Sequence, residues 1–333
     1  MSFKQLILFL ALTNKHWPRR GGRLPAHPRA RPRHFHQSPE YTHTIHISHI
    51  HWSLILQHKM EIPDFKKARD MLRATPALSV GIVIFSVLFY VVYPSGLTAL
   101  VLYPNAPLKL NMNAISFYIF PHVNLVHLVM NLVALFPLIS RFELANGTVN
   151  TGVTLNLLAV AAALMYCVPG LLLFPKSGAA GLLGICFSFL TYYCHKEHVQ
   201  TPVLYRFNVA LHEVQIPTEY FPFINLFLIA LLVPLTSFFG HLAGIGAGYL
   251  LALDYLKLLY PPLKVVLFIE RKLAPGINQL KRLVDFISEE DAVNERGVAY
   301  RPLFLTDLEL GVPASAPAAT GPVVEPFERR VDS

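Results

Sequence analysis

Between residues 77 and 256 the chain alternates long apolar runs with short polar connections. The first run spans about Ala77–Tyr93 and stops at Pro94-Ser95-Gly96. The second covers about His122–Ile139, the third Val153–Leu173 and the fourth Ala179–Cys194. The fifth is about Tyr220–Leu235, broken by Pro234, and the sixth Phe238–Leu256. Each approaches the ~20 residues that a helix needs to cross ~30 Å of hydrocarbon, once polar ends and tilt are allowed for. The fourth is the shortest and needs its ends buried in protein. The pattern predicts an all-α membrane protein with six transmembrane helices.

The flanks differ from this core. Glu61–Thr75 is a short amphipathic lead carrying Lys66, Lys67, Arg69 and Arg73. After Tyr260-Pro261-Pro262, a stretch to Phe286 alternates Val, Leu, Phe and Ile with Lys and Arg, as interfacial helices do; a solvated tail helix has the same pattern. From about Asn294 the Pro/Ala-rich tail, including Gly311-Val312-Pro313-Ala314-Ser315-Ala316-Pro317, reads as disordered. The expected organisation is an extension over 1–59, a membrane domain over 60–260 and a cytosolic amphipathic helix with a tail over 261–333.

Composition agrees with a bilayer as the solvent: 53% of residues are hydrophobic, 14% are charged and the mean hydropathy is +0.45. The net charge of +8 is misleading, because residues 1–59 hold nine Lys/Arg against Glu40 alone. The remaining 274 residues carry 19 basic and 19 acidic groups, so they offer no basic groove for nucleic acid. The extension is rich in Arg, Pro and His. Its Leu6–Leu12 run is short and no small-x-small cleavage site follows. It suits a transit-type or dispensable segment, with Met60 as the functional start. Its histidines (His43, His46, His49, His51) match no closed metal site. Cys167, Cys186 and Cys194 all fall in apolar runs and read as small buried hydrophobes. Neither a metal site nor a nucleotide loop is visible, so no cofactor is expected.

Loop charges set the orientation. With six spans, one side carries Lys66, Lys67, Arg69, Arg73, Arg141, Lys196, Arg206, Lys257, Lys264, Arg271 and Lys272, and the other only Lys109 and Lys176. Both termini are therefore expected in the cytosol, and the sequon Asn146-Gly147-Thr148 on the same side should stay unglycosylated.

The polar residues inside the apolar runs fall together. His127 and Asn131 are four apart and share a helical face. His122 follows Pro121, a residue suited to the first helical position, and is expected just inside the helix start. Such groups are expensive at membrane depth and mark either a functional site or a polar network that locks helices together. The starts of runs two, four and six lie on one side of the membrane. Run four opens with Gly178, Gly181 and Gly184; run six opens with Gly240-His241 and carries Gly240, Gly244 and Gly248 as a stripe for close helix approach.

The pattern His122-x4-His127-x3-Asn131, then Glu143-x3-Gly147-Thr148, a glycine-rich fourth run and Gly240-His241-x2-Gly244 resembles the rhomboid family of intramembrane serine proteases. Phe142-Glu143-Leu144-Ala145-Asn146-Gly147-Thr148-Val149, Tyr166-Cys167 and Cys186-Phe187-Ser188-Phe189 are similar to the fungal Golgi rhomboid type 2 proteins. The resemblance covers roughly Glu61 to Arg282. It implies a six-helix rhomboid-like bundle in a Golgi or other secretory-pathway membrane, acting on single-span membrane proteins. It implies His241 as the base for a serine on span four, His127 and Asn131 as oxyanion donors, and His122 as their accompanying histidine.

One position departs from that pattern. Counting back from Gly184-x-Cys186-Phe187, the family's Gly-x-Ser-Gly reads Gly181-Leu182-Leu183-Gly184, which puts Leu183 at the nucleophile position. Leucine has nothing to deprotonate, whereas the mechanism needs a nucleophile within reach of the base. Ser177 is the alternative nucleophile, six residues earlier, roughly 120° around the helix and ~9 Å along it. Ser188 lies off the face and suits a structural hydroxyl, and Cys186 is a thiol in apolar surroundings. Two functions remain: a serine endopeptidase cutting near the lumenal surface, or a pseudoprotease that binds transmembrane clients for sorting or quality control. A transporter fits less well, since the polar groups cluster on one side.

Overall fold

The computed structural model describes residues 65–93, 98–209, 212–233 and 236–295; the expectations for residues 1–59 and for the tail after 295 lie outside them. The helices are α1 (Phe65–Arg73), α2 (Ala77–Val92), α3 (Met112–Phe117), α4 (Leu125–Asn146), α5 (Thr148–Leu173) and α6 (Leu183–His198). After a β-hairpin of β1 (Val203–Val209) and β2 (His212–Pro217) come α7 (Phe221–Leu232), α8 (Phe238–Ala252), α9 (Leu263–Lys272), α10 (Ala274–Leu280) and α11 (Glu289–Glu295). Helices α4 and α5 are long and apolar enough to cross a membrane. Helices α2, α7 with its preceding turn, and α8 are apolar but shorter.

Helix α6 is the hub, its contacts with α8 being the most extensive in the fold. The reason is glycine. A Cβ on Gly244 would lie 2.1 Å from the Gly184 carbonyl oxygen, and one on Gly248 would lie 2.4 Å from that of Ser188. The two backbones touch only because neither glycine has a side chain. Gly240 serves a different end: a Cβ there would strike Ser237 Oγ at 2.8 Å, the oxygen that caps α8 by accepting from the Gly240 N–H. Ser188 seals the pair, its hydroxyl donating to Gly244 O at 2.8 Å and lying 3.2 Å from Gly184 O. The hydroxyl is structural, and it bonds the partner helix as well as its own.

The core is a continuous layer formed by Leu158, Ala159, Ala163 and Tyr166 of α5, Ile185, Phe189 and Cys194 of α6, Ala247 and Leu251 of α8, and Leu135 and Ile139 of α4. Around it, three features were not visible in the hydrophobic pattern. Residues 98–121 form a folded insertion, not a simple loop. Asn111 caps α3 by accepting from Ala114 N (3.1 Å), and Leu102 pairs with Ala179 as an antiparallel bridge (3.0 and 2.9 Å). The hairpin follows α6, whose end is tied to the turn before α7 by His195 Nδ1 and Glu219 Oε1 at 3.0 Å. Third, the stretch after Pro262 is two helices, broken at Leu273-Ala274-Pro275 where the proline cannot continue α9.

That stretch also leads into a strap. Asp285 exchanges backbone bonds with Thr75 and Ala77, and Ile287 O accepts from Thr148 N (2.9 Å) while Ile287 N donates to Thr148 Oγ1 (3.0 Å). Val284, Phe286 and Ile287 are buried. Glu289 is buried too; Asn150 Nδ2 donates to its carboxylate, and its own N–H donates to Glu270 at 2.9 Å. The strap covers the start of α2 and the α4–α5 junction.

Candidate functional site

Helix α4 begins at Leu125. Asn124 sits in extended backbone and accepts from the His127 N–H at 2.8 Å, closing the first turn. His122 therefore precedes the helix, a correction to the expectation that Pro121 would hold the first helical position: an asparagine cap satisfies a backbone donor, which proline cannot. His122 is buried nonetheless, with Nδ1 2.7 Å from Phe120 O and its ring edge-on to His127 at 5.2 Å.

His127 and Asn131 rise from the first two turns of α4 and face Gly181. A Cβ on Gly181 would fall 2.8 Å from His127 Cε1, 3.0 Å from His127 Nε2 and 3.0 Å from Asn131 Nδ2. Gly181 also holds φ +100°, a conformation open to glycine, and its N–H is fixed by Tyr118 O at 2.9 Å. Steric room and backbone geometry thus demand glycine independently. Tyr118, at the end of α3, is a positioning group that the hydrophobic pattern did not reveal.

Leu183 is the first residue of α6, and the preceding Leu182 supplies no side-chain cap. The isobutyl group packs against a small apolar cluster formed by Phe187 of α6, Leu226 of α7 and Ile245 of α8. Phe187 lies one turn on from Leu183, on the same face, and the imidazole of His241 stacks on the Phe187 ring (5.3 Å between centroids, 29° between planes). His241 is 7% exposed. Phe187 had drawn notice only as part of the Cys186–Phe189 motif, although its four-residue spacing from Leu183 would have placed it here.

The other sequence candidates separate. The Cys186 thiol is buried and donates to Asn131 O (3.6 Å), tying α6 to α4. Ser177 is exposed, before the Leu102–Ala179 bridge; its N–H donates to Phe174 O and its carbonyl accepts from Tyr166. Its bonds run toward α5, not toward His127, Asn131 and His241.

Two polar atoms of the cluster have no partner, although both side chains are nearly sealed. His122 Nε2 and Asn131 Nδ2 are buried without hydrogen bonds, in residues 2% and 1% exposed. With Nδ1 donating to Phe120 O, His122 Nε2 is left as an acceptor, while Asn131 Nδ2 is a donor directed at the Gly181 turn. Among the described residues no His, Cys, Asp and Glu group of three could hold a metal ion.

Apolar helices packed around a buried polar cluster, two of them long and apolar enough to cross a membrane, fit an α-helical membrane protein. A Rhomboid domain model matches residues 110–258, which include every one of these groups. The chain is 48% identical over 250 residues to rhomboid-type serine protease 2 of Debaryomyces hansenii, covering 74% of this chain and 87% of that one. It is 42% identical to the protein of that name from Candida albicans (76% and 91% covered) and 34% identical to that of Saccharomyces cerevisiae (70% and 89%). This chain belongs to the rhomboid family, whose fungal members here are named serine proteases.

Proposed function

We propose that this protein is a rhomboid pseudoprotease: it receives transmembrane segments of single-span client proteins in a six-span bundle and does not cut them. The observation that carries the reading is Leu183. It stands at the head of α6 where the family's nucleophile is expected, and its side chain is packed into the apolar cluster with Phe187. The candidate base His241 rests on that same phenyl ring. A base next to hydrocarbon has no proton to take. The candidate oxyanion donors are retained beside it, so the machinery for holding a peptide carbonyl outlasts the machinery for attacking it. The loop charges support both termini on the cytosolic side, and the likeness to type 2 proteins supports a Golgi or other secretory-pathway membrane.

The rival is an active serine endopeptidase, favoured by the names of the relatives, with Ser177 as its alternative nucleophile. The two are separated by incubating the purified protein in liposomes with a labelled single-span substrate. The natural protein is expected to leave the substrate intact, Leu183→Ser to cleave it, and Leu183→Ser with His241→Ala to lose that cleavage. Cleavage by the natural protein that disappears in Ser177→Ala would overturn the proposal.

A further inference from the structure

The outer face of α9 has no role in the cluster, and its composition is specific. Phe268 stands at its centre, 57% exposed. Four and three residues before it come Lys264 and Val265; three and four residues after it come Arg271 and Lys272, all exposed. On a helix these positions surround Phe268 on one face. Lys272 Nζ sits 5.7 Å from the Phe268 ring centroid. No acidic residue shares this face. Glu270, the only acid of the helix, points the other way and takes the Glu289 N–H, while Val266 is fully buried against the body of the protein.

The position of this face identifies what it meets. Helix α8 is an apolar helix that ends at Ala252, and the chain then runs through a short turn, Tyr255–Leu259, into α9. That turn exposes Tyr255, Leu258 and Leu259, with Leu258 78% exposed, around Lys257. Exposed apolar side chains thus follow the end of α8 at Leu253, Tyr255, Leu258 and Leu259 and resume on α9 at Val265 and Phe268, with Lys264, Arg271 and Lys272 exposed among them. Further on, Arg73 reaches over to donate to Arg282 O at 3.0 Å, which brings another cation to this end of the protein.

We propose that α9 lies in the headgroup layer of the bilayer that holds the protein and reads anionic lipid. Phe268 and Val265 enter the boundary between headgroups and acyl chains, and Lys264, Arg271 and Lys272 pair with lipid phosphates and carboxylates. Since Glu270 on the inner face holds the strap at Glu289, the lipid composition of that leaflet bears on how firmly the strap is seated over the α4–α5 junction. This inference is independent of whether the protein cleaves anything.

The test places a fluorescent reporter on the face. In the full chain, Trp17→Phe and Trp52→Phe remove the native indoles and Phe268→Trp supplies a single one. The protein is reconstituted into phosphatidylcholine vesicles with or without phosphatidylserine, and quenching by brominated acyl chains is compared with quenching by aqueous acrylamide. The expected result is strong bromolipid quenching in the serine-lipid vesicles, weakened in phosphatidylcholine alone and by added salt. Lys264→Gln with Arg271→Gln and Lys272→Gln should shift the docking equilibrium toward water by on the order of a hundredfold, at roughly fivefold per cation. The salt series needs no further substitution, so misfolding of the triple variant cannot mask the answer. Acrylamide access that is the same in every vesicle would overturn the proposal. So would bromolipid quenching indifferent to lipid charge and salt, which would reduce the face to an apolar contact, or protection that appears only when a soluble acidic protein is added.

Discussion

Helix α4 carries Glu143 near its end and Asn131 near its start, both buried, and the two side chains are bonded differently. At its last turn both oxygens of Glu143 are saturated. Oε1 accepts from Leu78 N and Thr148 Oγ1 at 2.8 Å each, and Oε2 accepts from Ser79 N at 2.8 Å and Ser79 Oγ at 2.7 Å. The carboxylate supplies the N-terminal cap that Pro76 cannot give α2, and its charge faces the positive end of that helix dipole. At the first turns of α4, Asn131 Nδ2 and the neighbouring His122 Nε2 are equally buried and have no partner. A saturated group is explained by the fold that surrounds it. Ser140 Oγ and Arg141 Nη1, just before Glu143, are also buried without partners, so a missing partner alone marks no site. Asn131 Nδ2 is set apart because it faces the Gly181 turn beside His127, where an unsatisfied donor costs about 1–3 kcal/mol and points to a group that arrives from outside.

The contrast is sharpest under substitution, and the three native cysteines provide a readout. Cys167, Cys186 and Cys194 are buried, so a thiol-reactive dye reports unfolding in detergent as temperature rises. Glu143→Ala is expected to be the most damaging change. It strips the cap from α2 and leaves the Leu78 and Ser79 N–H groups without acceptors, for a loss of roughly 3–5 kcal/mol. A fall in midpoint of about 10 °C or more corresponds to that loss. A midpoint close to that of the natural protein would mean that water or another side chain takes over the cap, and the distinction between Glu143 and Asn131 would fail.

Gly244→Ala comes next. Its methyl would overlap the Gly184 carbonyl, so α6 and α8 must separate, at about 1–3 kcal/mol or somewhat more. It also tests whether the site depends on this spacing: in a Leu183→Ser background, cleavage should fall further than the midpoint predicts, because His241 rides on α8 and residue 183 on α6. Loss of activity only in proportion to loss of fold would show that the spacing is purely structural.

How much of this could be read from the sequence follows the same division. The starts of α2 at Ala77 and α8 at Phe238, and the end of α5 at Leu173, coincide with the edges of apolar runs, because burial in lipid or core writes itself into consecutive residues. His127, Asn131 and His241 stood out as polar groups in apolar helices. Elements held by long-range bonds left no such trace. Glu143 was visible only as part of a resemblance, since its role depends on backbone donors 64 and 65 residues away. The strap at Asp285–Ala292 and the α3 insertion are short, and each is fixed by pairing with distant backbone. The start of α4 was misplaced because two local signals compete over four residues, Pro121 and Asn124, and only the asparagine can take the His127 N–H. Gly181 was legible only as the first glycine of the motif at the nucleophile position; its positive φ and its closeness to His127 and Asn131 depend on the folded turn.

Asn131→Leu should have the smallest effect on stability and is the most discriminating. Leucine has nearly the same size, and the change removes an unpartnered donor without breaking any side-chain bond; the bond that Asn131 makes to Cys186 uses its backbone carbonyl. Stability is therefore expected to change by less than about 1 kcal/mol in either direction, against several for Glu143→Ala, although the two residues are equally buried on the same helix. In the Leu183→Ser background the same substitution should depress cleavage by about a hundredfold or more, the usual effect of removing one oxyanion donor. A large loss of stability with unchanged cleavage would reverse the assignment: Asn131 would then be a structural group like Glu143, and its unpartnered donor would no longer mark a site.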